Sequence, residues 1–314
     1  MRTLIALSLW LLAALFPAGA LAAASPILSP TELAARLGSP EVVVLDIRPP
    51  EEYAKGHIPG ALSAPYGSWR GPARSPGQLP PLEALTAQVR KLGLTQDSRI
   101  VVTSSGEDVT DFGAAARVYW TLKYLGLKHL AVLNGGMLAW KQAAQPLSRQ
   151  APQAPAPSQY EPQVNTSILA TQADVLDAVG QERIRLVDAR PTNFYEGQAK
   201  APTAAIPGTI QGAVNLPHSL WFEPKSTRIV QPEKARQIAA LHFPELTDDT
   251  ITFCNTGHWA ATDWFALSEL AGLPGIRMYP QSLADWTNTA DPLPMENTPG
   301  RARQIFDKFK ALFN

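Results

Sequence analysis

The chain has 314 residues, of which 45% are hydrophobic. This length allows two globular domains, since domains commonly run to roughly 100–200 residues. Its 27 Lys and Arg residues balance its 27 Asp and Glu residues, and no basic block is present. Neither nucleic acid nor an anionic membrane is therefore indicated as a partner. The single cysteine, Cys254, excludes an internal disulfide.

Residues 1–24 have the layout of a secretory signal peptide. Arg2 supplies a positive charge, an apolar run extends from Leu4 to Phe16, and the small residues "PAGALAAAS" follow. The apolar run is shorter than the roughly 20 residues that span a bilayer. We predict a periplasmic or secreted protein with no stable membrane span after cleavage. An uncleaved N-terminal anchor is the alternative.

The rest of the chain reads as a tandem repeat. A Pro-, Ala- and Gln-rich segment, residues 146–164, predicts a semi-extended linker between residues 25–145 and residues 165–314. The motif "VVVLDIRPPEEY" in the first half resembles "IRLVDARPTNFY" in the second. Likewise "DSRIVVTSSG" matches "DDTITFCNTG", and each of these strands precedes a helical pattern that ends in Gly-Leu.

Short apolar strands that alternate with helices predict the α/β fold class. Each half is expected to form a mostly parallel sheet covered by helices on both faces. Counting from the two turn aspartates, Asp97 and Asp248, places Thr103 opposite Cys254. The first half therefore has the scaffold without the thiol. Its loop also carries Glu107 and Asp108, which disfavour an anion, so we predict a catalytically silent N-terminal domain.

Cys254 lies where a predicted strand ends and a helix is about to begin. Ligands bind beyond the carboxyl ends of strands in open α/β sheets. A loop that enters a helix turns backbone N–H groups and the helix dipole toward one point, which favours an anion. A thiol at this point is stabilised as the reactive thiolate. The alternative is a buried structural cysteine, since cysteine is among the most buried residue types.

Together these motifs resemble the tandem-domain rhodanese family, the thiosulfate and 3-mercaptopyruvate sulfurtransferases. "DIRPPEEYAKGHIPGA" resembles the N-terminal motif of the family, and "CNTGHWA" lies where its active-site loop begins with the catalytic cysteine. "GGMLAW" and "YPQSLADW" resemble its closing motifs. The resemblance implies two tandem rhodanese-like domains, of which the C-terminal one is active.

The resemblance also implies a sulfurtransferase with a ping-pong reaction, which the predicted signal peptide makes an exported one. Cys254 would take a sulfane sulfur from a donor of the thiosulfate or 3-mercaptopyruvate type and become a persulfide. The persulfide would then pass the sulfur to cyanide, a small thiol or a protein acceptor. No metal or organic cofactor is required. The scattered histidines show no metal-ligand spacing, so no zinc site is predicted.

By the same resemblance, the persulfide and anion-binding loop consists of Asn255, Thr256, Gly257, His258 and Trp259. Arg190, which follows the second Asp-x-Arg motif, matches an arginine that holds the substrate carboxylate, and Phe194 stands where a second arginine is expected. Arg190 could instead be a structural partner of Asp188. For His258 the alternatives are a solvated loop residue and a proton or charge partner of the persulfide; for Trp259 they are helix packing and donor contact.

Two other classes of function stay open at this stage. A phosphatase of the Cys-x5-Arg type is disfavoured because Ala260 occupies the arginine position. A persulfide carrier or redox module that does not turn over, in which the silent domain binds a partner, is not excluded by the residues. Turnover with small donors and acceptors separates a carrier from an enzyme.

Overall fold

The computed structural model describes residues 25–181, 183–242 and 249–300. The predicted signal peptide lies outside these residues. The N-terminal domain contains five strands, β1 (Ile27–Leu28), β2 (Val42–Asp46), β3 (Leu62–Ser63), β4 (Arg99–Thr103) and β5 (Leu130–Leu133). Its α-helices are α1 (Pro30–Ala34), α2 (Pro50–Lys55), α3 (Leu82–Lys91), α4 (Asp111–Tyr124) and α5 (Gly136–Gln142). A 3₁₀ turn covers Tyr66–Trp69.

The strands of this domain form one parallel sheet in the order β1-β5-β4-β2-β3. Successive side chains of a strand point to opposite faces. In β4, Val101 packs in one apolar cluster and Val102 in another, and both are buried. Both faces of the sheet are therefore covered, as the continuous apolar runs predict.

The C-terminal domain repeats this plan. Its strands are β6 (Ile184–Asp188), β7 (Thr209–Ile210), β8 (Val214–Asn215), β9 (Asp249–Phe253), β10 (Ile276–Met278) and β11 (Met295–Glu296). Its α-helices are α6 (Gln172–Ala178), α7 (Thr192–Tyr195), α8 (Pro232–His242), α9 (Trp259–Trp264) and α10 (Ser282–Trp286). Parallel strands β10-β9-β6-β8 form the sheet, and β7 pairs with β11 in an antiparallel ribbon. A π-helical segment, Phe265–Leu270, continues α9, and 3₁₀ turns cover Thr166–Ile168 and His218–Trp221.

One apolar core runs from the first domain into the second. Helix α4 packs against α9, and the rings of Phe112 and Tyr119 meet Phe265 edge-on at 5.3 and 5.0 Å. Lys123 of α4 also forms an ion pair with Glu269 at 2.8 Å. Edge-to-face aromatic pairs add about 0.5–1.5 kcal/mol each beyond burial, so the two domains are joined by a packed interface.

The Pro-rich segment between the domains contains no helix or strand from residue 149 to residue 165. It lies along the N-terminal domain, where Ser158 Oγ donates to Leu94 O at 2.6 Å and Tyr160 Oη donates to Leu125 O at 2.7 Å. Within the described ranges, no helix has both the length and the apolar content needed to cross a membrane.

Candidate active site

The thiol lies at the carboxyl end of the sheet of the C-terminal domain. Cys254 directly follows β9, and α9 begins five residues later at Trp259. Strand β9 lies between β10 and β6, which places Cys254 above the middle of the sheet. The residue is 1% exposed and is the only cysteine in the chain. Sequence and topology therefore agree on a thiol held at a strand-to-helix loop.

The loop requires glycine at position 257. Gly257 has φ +71°, which L side chains adopt at a cost, and it lies between the two domains. A Cβ here would lie under 3.0 Å from Pro280 O and from Nη1 of Arg117, a separation that real Cβ atoms do not show. Both the backbone conformation and the available space therefore exclude a side chain.

The backbone N–H groups of the loop fall into two sets, one with a hydrogen-bond acceptor and one without. The N–H of Cys254 donates to Ser282 Oγ at 3.1 Å, and that hydroxyl donates to Tyr279 O at 2.8 Å. The N–H groups of Asn255, Thr256, Gly257 and His258 donate to no acceptor in the part of the chain that the structure describes. N–H groups without an acceptor, next to a buried thiol, have the property that the predicted anion-binding loop requires.

In the equivalent loop of the N-terminal domain, two of the four matching N–H groups are occupied by a side chain, whereas those of Ser105 and Gly106 have no acceptor among the described residues. The N–H groups of Glu107 and Asp108 donate to a carboxylate oxygen of Asp111, at 2.8 and 3.3 Å. A carboxylate oxygen of Asp108 accepts in turn from the N–H groups of Thr110 and Asp111, at 2.6 and 3.2 Å. The Asp111 carboxylate therefore competes with any external anion for two N–H groups of this loop, and the silent domain stays a prediction.

The strand register corrects the internal alignment. Asp46 pairs with Thr103, whereas Asp188 pairs with Phe253, so Thr103 is equivalent to Phe253. Ser104, whose carbonyl accepts from the N–H of Met137, is therefore the counterpart of Cys254, whose carbonyl accepts from Leu283 N–H. The prediction of Thr103 was wrong by one residue because strand pairing, rather than the length of the preceding turn, sets the register.

His258 is fixed between the two domains. Its Nε2 lies 2.7 Å from Thr110 O and its Nδ1 lies 3.0 Å from Tyr66 Oη. Since a carbonyl only accepts, Nε2 carries the proton and Nδ1 accepts from Tyr66. The ring fits against Gly113, where a Cβ would lie 2.8 Å from Cδ2 of His258. His258 is half-buried and both of its ring nitrogens are hydrogen-bonded, so neither nitrogen is free to exchange a proton with a persulfide.

Burial and the positive charge of Arg70 lower the pKa of His258 to about 4. The imidazole is therefore neutral at physiological pH and acts as a connector between the domains. It does not supply the loop cation that a protonated histidine would have provided.

Two arginines of the N-terminal domain reach the loop. Arg70 Nη2 donates to Thr256 O at 3.0 Å, and Arg117 Nη1 donates to Gly257 O at 3.3 Å. Arg70 also donates to Tyr66 Oη. Arg117 is 0% exposed. Sequence reasoning missed both residues; the only signal was an arginine within the apolar helix pattern "AAARVYWTL".

Aromatic side chains surround the helix side of the loop. His218 stacks on Trp259 with ring centroids 4.8 Å apart, and Phe194 meets Trp259 edge-on at 6.1 Å. Phe194 and Trp259 are half-buried. Trp259 Nε1 and Asn255 Oδ1 are buried without a hydrogen-bond partner among the described residues. This aromatic rim, formed by Phe194, His218 and Trp259, is largely apolar, and two polar atoms without a partner lie beside it.

Arg190 occupies a structural position. It is 1% exposed, and its guanidinium binds both carboxylate oxygens of Asp188 and the carbonyl of Gly208, at 2.6 to 3.1 Å. Arg48 and Asp46 form the same arrangement in the first domain. A substrate carboxylate would have to displace Asp188, so this geometry favours the structural alternative over the predicted substrate contact.

Helix α9 also buries a carboxyl group that the sequence did not single out. Asp263 is 0% exposed, its Oδ1 accepts from Trp221 Nε1 at 3.0 Å, and its Oδ2 has no partner within the described residues. Burial raises the pKa of Asp263 well above its ordinary value. Burial without an ion-pair partner therefore favours the protonated, neutral form of this carboxyl group. No group of three or more His, Cys, Asp or Glu in the described ranges could hold a metal ion.

The comparisons with known proteins agree with this geometry. The family model of the rhodanese-like domain matches residues 29–143 and 171–289, so the chain belongs to the rhodanese family. It is similar to a thiosulfate sulfurtransferase of Azotobacter vinelandii, with 30% identity over 84% of this chain and 95% of that protein. It is also similar to a 3-mercaptopyruvate sulfurtransferase of Escherichia coli, with 26% identity over 84% of this chain and 95% of that protein.

Among solved structures, the fold resembles that of SseA from Escherichia coli. The TM-score is 0.70 at 24% sequence identity, over 82% of this chain and 98% of that chain. This match confirms the predicted architecture of two rhodanese domains.

Proposed function

We propose that the protein moves a sulfane sulfur from a small donor to a thiophilic acceptor through a persulfide on Cys254. The chain is a sulfurtransferase of the rhodanese family. The observation that carries the residue assignment is the buried thiol within a loop whose next four N–H groups are unpaired among the described residues. No other cysteine is available to form the persulfide.

The first half-reaction breaks a bond to the outer sulfur of the donor. The Cys254 thiolate attacks that sulfur, an S–S bond forms on the enzyme, and the bond to the rest of the donor breaks. Thiosulfate leaves as sulfite, and 3-mercaptopyruvate leaves as pyruvate after its C3 takes up a proton. The terminal sulfur of the persulfide is anionic, and the N–H groups of Asn255 to His258 stabilise it in this proposal, which their lack of an acceptor among the described residues supports.

The second half-reaction returns the enzyme to its starting state. Cyanide attacks the terminal sulfur, the S–S bond breaks, and thiocyanate and the Cys254 thiolate result. A thiol acceptor reacts in the same way and leaves as a persulfide. Two easier transfers therefore replace one direct transfer.

The donor is proposed as thiosulfate or 3-mercaptopyruvate in type, as in the similar enzymes. Asn255 and Thr256 are neutral, and Arg190 is already paired with Asp188. The aromatic rim of Phe194 and Trp259 lies where a carboxylate-binding arginine was expected. This arrangement favours a donor whose binding does not depend on a carboxylate–arginine pair at that position.

Steady-state turnover tests the proposal. The protein is assayed with each donor and with cyanide or a thiol, beside Cys254→Ser and the matched control Ser104→Ala at the equivalent position of the first domain. We expect turnover in the wild type and in Ser104→Ala, and none in Cys254→Ser. Sulfur loading without turnover would support the alternative of a persulfide carrier; no loading from any donor would contradict both.

The place of action is proposed to be outside the cytoplasm. The support is the sequence of residues 1–24, with its charged start, apolar run and small-residue end. Cell fractionation and N-terminal sequencing of the mature protein test it. Mature protein that begins near residue 25 in the periplasm or medium is the expected result, and an intact N-terminus in the cytoplasm would overturn the proposal.

A further inference from the structure

Two guanidinium groups at the active-site loop have no carboxylate partner. Neither Arg70 nor Arg117 forms an ion pair with any described carboxylate. Arg117 is fully buried, donates only to Gly77 O and Gly257 O among the described residues, and leaves its Nε without a partner there. It also lies over the ring of Trp120, with 5.4 Å to the centroid. A buried cation without a counter-ion is costly, so an anion is expected nearby.

The surroundings of Arg117 leave one candidate for that anion. Burial and the charge of Arg70 lower the pKa of Arg117 to about 10, while Tyr66 and Cys254 are the groups that raise it. Burial in turn raises the pKa of Tyr66, which keeps its hydroxyl protonated at physiological pH. Cys254 lies two and three residues before the carbonyls that Arg70 and Arg117 hold, so its sulfur, as thiolate or persulfide, is the group of this loop that can carry the negative charge.

Each arginine also donates a hydrogen bond to a peptide carbonyl of the loop after Cys254. Arg70 holds the carbonyl of the Thr256–Gly257 peptide, and Arg117 holds the carbonyl of the Gly257–His258 peptide. Both peptides are trans, so each N–H points away from its carbonyl. The N–H groups of Gly257 and His258 are thereby turned away from the arginines and have no acceptor within the described residues.

We propose that Arg70 and Arg117 of the silent N-terminal domain are positioning residues for the Cys254 reaction. They fix two N–H groups of the loop for the anionic sulfur and supply the positive charge that the loop side chains lack. This role rests on the proposed function, and it assigns the first domain a direct part in the reactivity of the second.

Alkylation of Cys254 by iodoacetamide, measured as a function of pH, tests this role. The chain has one cysteine, so the reaction reports on that thiol alone. The charged and titratable groups around the loop are Arg70, Arg117, Tyr66 and His258. His218 and Asp108 lie beyond His258.

Removal of a charge is expected to move the midpoint of the alkylation profile upward. In Arg117→Gln and in Arg70→Gln we expect the midpoint of the alkylation profile to rise, since a nearby positive charge favours an anionic sulfur. At a fixed pH below the midpoint, a rise of one pH unit lowers the alkylation rate about tenfold, because the thiolate fraction falls by that factor. Arg117→Lys keeps the charge and is expected to keep the midpoint, while its kcat for sulfur transfer falls because the peptide is no longer held as firmly.

Arg236→Gln is the matched control. It makes the same chemical change at an exposed arginine of α8 that is paired with Glu233, and it should leave the profile unchanged. Circular dichroism and a thermal melt establish that each variant is folded. If Arg117→Gln does not fold, the half-buried Arg70 decides the question.

Folded Arg70→Gln and Arg117→Gln proteins with the wild-type midpoint would overturn the inference and leave the arginines as interface packing. The proposed sulfurtransferase function is tested by a different measurement from the alkylation profile. Alkylation needs no sulfur transfer, so a wild type that never loads sulfur would refute the sulfurtransferase assignment without affecting the midpoint measurement.

Discussion

The substitution Gly257→Ala tests how strictly the loop geometry depends on one residue. Gly257 has φ +71°, and a non-glycine residue pays about 1–2 kcal/mol in the left-handed region. The new Cβ would also overlap Pro280 O and Arg117 Nη1, so the loop has to move away from both. We expect the hydrogen bonds of Arg70 and Arg117 to the loop to be lost, at about 1.5–3 kcal/mol each for bonds to a charged group.

These contributions add to about 4 kcal/mol at their lower limits, from about 1 kcal/mol for the backbone and about 1.5 kcal/mol for each hydrogen bond. Gly272→Ala is the matched control, because Gly272 has φ +75° and nothing within 4 Å of a Cβ. It should cost only the backbone strain, about 1–2 kcal/mol.

Urea denaturation and single-turnover sulfur loading measure the two consequences. We expect Gly257→Ala to lose about 3 kcal/mol more stability than Gly272→Ala, because two hydrogen bonds to the loop are lost only in the former. Its loading rate should fall about a hundredfold, which is the usual effect of misplaced oxyanion donors. Equal stability and equal loading in the two variants would refute the reasoning about the crowded loop.

Three further predictions concern the pH dependence of stability and the loop of the N-terminal domain. His258 is neutral in the folded protein and has a pKa lowered from 6.5 to about 4, so the unfolded chain takes up the proton first. The free energy of unfolding should therefore fall as pH decreases from 6.5 toward 4, and it should fall less steeply in His258→Gln. The same dependence on pH in the wild type and the variant would contradict this. Burial raises the pKa of Asp263, so the folded state loses stability relative to the unfolded chain as pH rises above 3.8, and the stability of Asp263→Asn relative to wild type should increase in the same direction. The double variant Ser104→Cys, Cys254→Ser should stay inactive. In the loop after Ser104, the Asp111 carboxylate accepts from the N–H groups of Glu107 and Asp108, and the Asp108 carboxylate accepts from those of Thr110 and Asp111. Sulfur loading of the new thiol would show that the carboxylates do not silence the domain.

The fold could be predicted from the sequence because the apolar runs and turn motifs that indicate it are local and occur in both halves. The apolar runs before each Asp-x-Arg motif and before each loop predicted the strands β2, β6, β4 and β9, and the repeat predicted the second sheet from the first. The position of Cys254 at a strand end followed from the same pattern. The one-residue error at Thr103 arose where the count relied on turn length, since the preceding turns do not fix the register.

The partners of the loop could not be predicted because they come from far along the chain. Arg117 contacts Gly257, and Tyr66 contacts His258, across 140 and 192 positions. A pattern in the sequence does not record which side chains face each other across a domain interface. For Arg190 the position after β6 was predicted correctly. Its ion pair with Asp188 depends on side-chain geometry, which the motif alone does not determine.

The most direct test is the intact mass of the mature protein after incubation with thiosulfate or 3-mercaptopyruvate, before and after addition of cyanide. We predict the gain of one sulfur atom on Cys254, its loss on addition of cyanide with formation of thiocyanate, and no gain in Cys254→Ser. A wild type that gains no sulfur from either donor, or a Cys254→Ser variant that still releases thiocyanate, would contradict the assignment of Cys254 as the residue that carries the sulfur.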